Sequence, residues 1–303
     1  MNQADLVKPG RFLDPKVLAR ISDLELLART VVDGFVSGLH RSPYLGHSMD
    51  FAEHRGYAPG DDIRRLDWRV YARTDRYYVK EFEADSNADF TLVLDVSRSM
   101  SFGSEGLTKL DYARILAACL AYFARAQRDR VGFAAFDTEL VSYVPPSAKH
   151  LPAVLHAIDR LAAGRPGQLA GPLLQVAEAS RRRGLVVLVS DLYQDPEVVL
   201  AAVSSLGRRR SDVIVFHVLD PAEVHFPYDA AQPFEDLESG ERMSVVPEAI
   251  REEYRRLVEA HVASLRRLLG ESRIDYTLLE TSQPLDLALF AYLTWRQRLD
   301  RVR

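Results

Sequence analysis

Three short, almost wholly apolar runs constrain this chain more than any other feature: Phe90 to Leu94, Leu185 to Val189 and Val213 to Leu219. A strand that alternates apolar and polar residues keeps one face wet. A run without alternation, bounded by polar residues, fits a strand covered on both faces. The stretches between these runs have helical periodicity. In Lys109 to Arg128, the residues Tyr112, Ile115, Leu116, Cys119, Leu120 and Phe123 recur on one stripe. Further helices are expected over 14–38, 147–163, 172–183, Pro196 to Leu206, Pro247 to Leu269 and Pro284 to Leu299. Further strands are expected at Val131 to Phe136, Leu140 to Val144 and Ile274 to Leu279. Alternating strands and helices predict an α/β fold: a wound, mostly parallel sheet flanked by helices. Residues 220–246 break the rhythm with a candidate hairpin turning at Glu238 to Glu241. The expected division is 1–88, a helix plus a polar segment packed on the body, and 89–303, the α/β domain.

Bulk properties narrow the function. The chain has 303 residues and a net charge of −4, so it lacks the basic surface on which general nucleic-acid binding rests. The single cysteine, Cys119, sits inside the apolar stripe and reads as a core residue. One cysteine permits no intrachain disulfide, which fits a reducing compartment. Met1 to Arg20 has no apolar core of the secretion-signal kind, and no apolar run approaches the ~20 residues of a membrane helix. These features lead to the expectation of a cytoplasmic protein without a membrane span.

In wound α/β sheets, ligands bind at the carboxyl ends of the strands. Asp95, Ser97 and Ser99 leave the first such end, and Asp191 follows the second buried strand. Alternate residues of an extended loop project to one side, so one carboxylate and two hydroxyls can converge. A hard cation such as Mg2+ prefers such oxygen donors. Ser and Asp also fill turns and helix caps, so the alternative is a site whose residues only cap backbone.

A second concentration of chemistry lies upstream. It runs from Arg55 and Tyr57 through Pro59, Gly60, Asp61, Asp62, Arg64, Asp67, Trp68, Arg69 and Arg73 to Lys80. One reading is a network of carboxylate–guanidinium pairs stapling the segment to the α/β body. The other is a recognition surface, since Arg, Trp and Tyr dominate interface hot spots.

Two resemblances follow from these residues. The Asp95-Val96-Ser97-Arg98-Ser99 loop resembles the metal-ion-dependent adhesion site (MIDAS) of von Willebrand factor A domains. In that family the loop shares a divalent ion with a Thr from a second loop and an Asp from a third. Asp191 matches the third position. The second loop, Gly164 to Gly171, contains no Thr and offers Gln168 there. The segment from Tyr57 to Glu83 is similar to the signature of the domain of unknown function 58 family, in which it precedes a von Willebrand A-like domain. Members of that family are often associated with MoxR-type AAA+ ATPases.

The resemblance implies a non-enzymatic interaction protein. It would hold Mg2+ through Asp95, Ser97, Ser99 and Asp191, with Gln168 as a further candidate ligand, and partner a MoxR-type ATPase and a client protein. The alternative is a metal-dependent hydrolase of the phosphoesterase kind, recruiting Asp61, Asp62 or Asp67 beside Asp95 and Asp191. Two-metal chemistry needs carboxylates close to both ions.

Overall fold

The computed structural model describes residues 15–19, 21, 23–40, 54–56, 78–80, 88–209, 211–230, 232–237 and 239–302. The chain forms two compact units, one made of Met1–Gly34 with Ala88–Arg303 and the other of Phe35–Asn87. The smaller unit contains the short strands β1 (His54–Gly56) and β2 (Tyr78–Lys80), which pair antiparallel with Arg55 opposite Val79 and His54 opposite Lys80. Thus Arg55 and Lys80 lie on one strand pair. The other signature residues, Tyr57, Pro59, Gly60, Asp61, Asp62, Arg64, Asp67, Trp68, Arg69 and Arg73, lie outside the described residues.

Ahead of the sheet come helices α1 (Pro15–Leu18) and α2 (Leu24–His40), of which α1 and residues 24–34 belong to the larger unit. The single helix expected over 14–38 is therefore two, because Asp23 accepts the backbone N–H groups of Glu25 and Leu26 and starts a new helix. The sheet then builds from β3 (Asp89–Asp95), β4 (Arg130–Phe136), β5 (Leu140–Ser147), β6 (Gly184–Ser190), β7 (Asp212–Leu219) and, near the chain's end, β10 (Asp275–Glu280). Its spatial order is β10-β7-β6-β3-β4-β5. Every neighbouring pair is parallel except β4 with β5, which forms an antiparallel edge. The wound, mostly parallel α/β sheet read from the apolar runs is the fold observed.

Strand β5 runs three residues past Val144, through Pro145 and Pro146. Proline cannot donate to a ladder, but an edge strand leaves one side unpaired and tolerates it. The register shift opposite, between Val131 and Phe133, absorbs the irregularity.

Helices cover both faces. α3 (Lys109–Ala126) packs against β3 and β4, with Tyr112, Leu116, Leu120 and Phe123 buried. The C-terminal helix α9 (Asp286–Val302) contributes Tyr292, whose ring meets Phe90 and Phe123 edge-on at 5.6 and 5.5 Å. α4 (Leu151–Asp159) lies beside α3. Another core gathers Val93, Phe136, Leu188 and Val215 with Leu173 of α5 (Ala170–Ala179), Val199 of α6 (Pro196–Leu206) and Leu265 of α8 (Pro247–Glu271). Between β7 and α8 the chain makes the short helix α7 (Pro221–His225) and the hairpin β8 (Gln232–Glu235) with β9 (Arg242–Val245). Rings of Phe226, Tyr228, Phe234 and Tyr254 hold that hairpin to α8.

The connections place the site. From β3 the chain moves to β4 and β5 on one side, then returns to β6 on the other. Consequently the carboxyl ends of β3 and β6 lie side by side where the winding reverses, the position at which such sheets open a crevice.

Leu265 is fully buried and joins α8 to the core. Leu265→Ala should destabilise the protein by about 2–5 kcal/mol, read as a lowered denaturant midpoint. An unchanged midpoint would mean that α8 is not packed on this core.

Candidate functional site at the winding reversal

Asp95 closes β3 with its side chain almost completely buried. One carboxylate oxygen accepts the Ser97 backbone N–H at 2.9 Å, and the other accepts the Ser190 hydroxyl at 2.6 Å. The Ser190 oxygen in turn accepts the Leu192 N–H at 3.1 Å. The two strand ends are thereby stitched through one carboxylate. Ser97 precedes a single 3-10 turn, Arg98–Ser101, which brings the Ser97 and Ser99 Oγ atoms to 3.1 Å from each other. Both serines are buried, whereas Arg98 between them is exposed.

Asp191, one residue beyond β6, is also buried, and its Oδ2 accepts Lys109 Nζ at 2.7 Å. Lys109 is completely buried and also donates to Glu223 Oε1 at 2.8 Å. Its Nζ stands 4.7 Å from the centre of the Tyr193 ring. Glu223 uses its other oxygen to accept the Asp220 N–H, closing the capping box of α7. Burial pulls the Lys109 ammonium downward, but the charges and hydrogen bonds of Asp191 and Glu223 outweigh it and hold its pKa above the ordinary lysine value.

Asp95 has no such cation. Its burial, reinforced by the negative charge of Asp191, outweighs the Ser190 and Ser97 hydrogen bonds and pushes its pKa up to about 7. Lys109 is paired with Asp191 and Glu223, while Asp95 feels the charge of Asp191.

The loop Gly164 to Gly171 closes over the serines. Arg98 N–H donates to the Arg165 carbonyl at 3.0 Å, and Gly164 N–H to the Val96 carbonyl at 2.8 Å. Asp137, at the end of β4, grips the Arg165 guanidinium and backbone. Burial raises its pKa, but the N–H groups of Glu139 and Arg165 and the guanidinium charge outweigh that and leave it low. A Cβ on Gly167 would stand 2.7 Å from Ser97 Cβ, and one on Gly164 would stand 2.7 Å from Asp137 Oδ2. Backbone thus meets Ser97 at residue 167. Gln168 is exposed, and its N–H donates to the Asp137 carbonyl at 3.1 Å.

Of the residues singled out in the sequence, the fold brings Asp95, Ser97, Ser99 and Asp191 to one strand-end cluster. It adds Ser190, Lys109 and Glu223, which sequence reading missed. One local signal for Lys109 existed. A cation in the first turn of a helix opposes the helix dipole, so it needs a partner elsewhere. The hydrolase alternative depends on Asp61, Asp62 and Asp67, which lie outside the described residues. Among the described residues no group of three or more His, Cys, Asp and Glu side chains is arranged to hold a metal ion.

Residues 53–264 match the family model described as "Protein of unknown function DUF58". The chain belongs to this family. The uncharacterized protein Rv1480 of Mycobacterium tuberculosis and the uncharacterized protein Mb1516 of Mycobacterium bovis are each 32% identical to it over 267 residues, covering 86% of this chain and 83% of the relative. Among solved structures, an aerotolerance-related membrane protein from Bacteroides fragilis is 16% identical, with a TM-score of 0.48, over 66% of this chain and 96% of that one. BatB from Bacteroides thetaiotaomicron is 13% identical, with a TM-score of 0.47, over 70% and 99%. The fold of this DUF58 protein, a wound, mostly parallel sheet with one antiparallel edge, is read from its own strand order. No helix among its described residues is long and apolar enough to cross a membrane.

Two predictions follow from this geometry. Gly167→Ala should cost about 1–3 kcal/mol through overpacking against Ser97. Gly171→Ala, in α5 with nothing within 4 Å, should be neutral or stabilising. Equal melting temperatures for the two would refute the close approach at residue 167. The second prediction concerns pH. Because the folded-state pKa of Asp95 is raised from 3.8 to about 7, its protonated form contributes stability below about pH 4 that is lost as pH rises towards 7. In chelator, wild type should therefore lose stability over that interval and Asp95→Asn should lose less. Parallel pH profiles in denaturant melts would contradict the assignment.

Proposed function

We propose that this protein is a non-enzymatic interaction module whose winding-reversal site holds Mg2+ and captures a carboxylate of a partner protein. The observation that carries this is the 3.1 Å separation of the Ser97 and Ser99 hydroxyl oxygens beside buried Asp95. Adjacent ligands of an Mg2+ octahedron with bonds of roughly 2.1 Å lie about 3 Å apart. The donors are hard oxygens of the type this ion prefers. On this reading Ser97 and Ser99 ligate, Asp95 neutralises, and Asp191 supports from the neighbouring strand end. Gln168, on the adjoining loop, is the protein side chain left to compete with a partner for an open position. A bound divalent ion would supply a Lewis-acidic point that a partner carboxylate completes. Arg98, exposed at the lip of the site, favours an acidic partner.

The family resemblance carried by Tyr57 to Arg73 points to a MoxR-type AAA+ ATPase as that partner, with this protein linking it to a client. The signature segment, with its Arg, Trp and Tyr content, would supply a second recognition surface.

The test is capture of a purified MoxR-type ATPase from the same organism by the immobilised protein, with Mg2+ or with chelator, using wild type and Asp95→Ala. Capture that needs both Mg2+ and Asp95 is expected. Undiminished capture by the variant, or capture indifferent to chelator, would rule out an ion-mediated contact.

A further inference from the structure

Lys109 is the least expected residue in this neighbourhood. It has no exposed surface, it stands at the first position of α3 where the dipole disfavours a cation, and it divides its donors between Asp191 at 2.7 Å and Glu223 at 2.8 Å. Such a placement is tolerated only when carboxylates compensate the desolvated charge. Asp191 Oδ2 is thus already engaged by a cation tethered to the protein itself.

From this we infer that Lys109 is a built-in competitor that sets the cation affinity of the winding-reversal site. The inference rests on the ion reading above and deepens it. A divalent ion arriving beside Asp95, Ser97 and Ser99 meets the ammonium's repulsion and an Asp191 that is already paired. Free of a partner, the site therefore holds the ion weakly. A carboxylate from the partner restores the missing negative charge, so ion and partner bind together more tightly than either binds alone. This reciprocity follows from linkage. Glu223 tunes the competitor. It draws Lys109 towards α7 and lessens the hold of the ammonium on Asp191. The two residues therefore act on the ion with opposite sign: Lys109 opposes it and Glu223 assists it. A purely structural salt bridge predicts no such opposition, since loss of either partner would only loosen the fold.

The experiment is titration of the full chain with Mn2+, followed by electron paramagnetic resonance of the free ion and by calorimetry, without any partner. Wild type, Lys109→Met, Glu223→Gln and Asp95→Asn are compared. Lys109→Met should bind Mn2+ more tightly than wild type by roughly tenfold or more, because an ammonium is removed from beside the site. Glu223→Gln should bind more weakly than wild type, and Asp95→Asn should bind least. If Lys109→Met binds no more tightly than wild type, the inference is overturned while the ion reading stands. If no variant binds Mn2+, both are overturned. Should Lys109→Met fail to fold, Glu223→Gln decides alone: equal or tighter binding than wild type refutes the competitor role. A second readout separates the role from simple destabilisation. Mn2+ should raise the melting temperature of Lys109→Met by more than it raises that of wild type, and an equal rise would count against the inference.

Discussion

The constraint on which the rest of this structure depends is the burial of two carboxylates, Asp95 and Asp191, at adjacent strand ends of one sheet. A sheet covered on both faces has no solvent along its strands, so its polar chemistry collects where strands stop. At the winding reversal two strands stop together. Taking an ionised carboxylate from water costs several kcal/mol unless it is paired and hydrogen-bonded. The protein answers that cost differently on the two sides. Asp191 receives an ammonium. Asp95 receives a backbone N–H and a serine hydroxyl, and what these do not offset appears as a carboxyl that gives up its proton only near neutral pH.

The surrounding loops are arranged to hold those answers in place. The segment between the serines and α3 is fixed at its middle by Asp220, which accepts both the N–H and the hydroxyl of Ser104. It is fixed at its end by the capping box of Thr108 and Asp111, which sets the first turn of α3 and so the origin of the Lys109 side chain. Asp220 also caps α7, whose Glu223 takes the other Lys109 donor. The segment following β7 therefore does more than connect. Its first four residues supply both a clamp for the loop and a counter-charge for its lysine. Beyond β6, His261 of α8 bonds the Leu192 carbonyl at 3.0 Å, so a distant helix steadies the loop that carries Asp191.

Much of this was legible in the sequence. Strands β3, β6 and β7 were plain because burial on both faces leaves runs with little or no alternation. Asp95, Ser97, Ser99 and Asp191 followed from a topological rule that needs only the strand ends. What escaped detection depended on long-range pairing or on edge effects. Lys109 and Glu223 meet across 114 positions, and neither carries a local pattern that names the other. Pro145 and Pro146 read as an end to β5, yet the strand passes through them because, among the described residues, no strand pairs with its outer side. Helix ends moved for similar reasons. The stretch expected to be helical to residue 163 stops at Asp159, and the one expected from 172 begins at Ala170. The intervening loop needs its residues to reach from Asp137 to Ser97.

That loop bears on the missing threonine. Two glycines, at 164 and 167, let main chain lie against Asp137 and Ser97 where a side chain would collide. The loop therefore comes close to the serines through backbone, and its polar side chain at 168 is exposed to solvent. A loop that spends its nearest residue on close packing cannot also present a hydroxyl from that residue. On the proposed reading, the protein then offers the ion two hydroxyls and one raised-pKa carboxyl, fewer donors than an octahedron requires. The remaining positions fall to water or to a partner. On that reading, the same shortage that would weaken the ion's hold on the free protein would make an incoming carboxylate bind it more strongly. Deficient ligation and a tethered lysine would then work in one direction, towards a site completed by its partner.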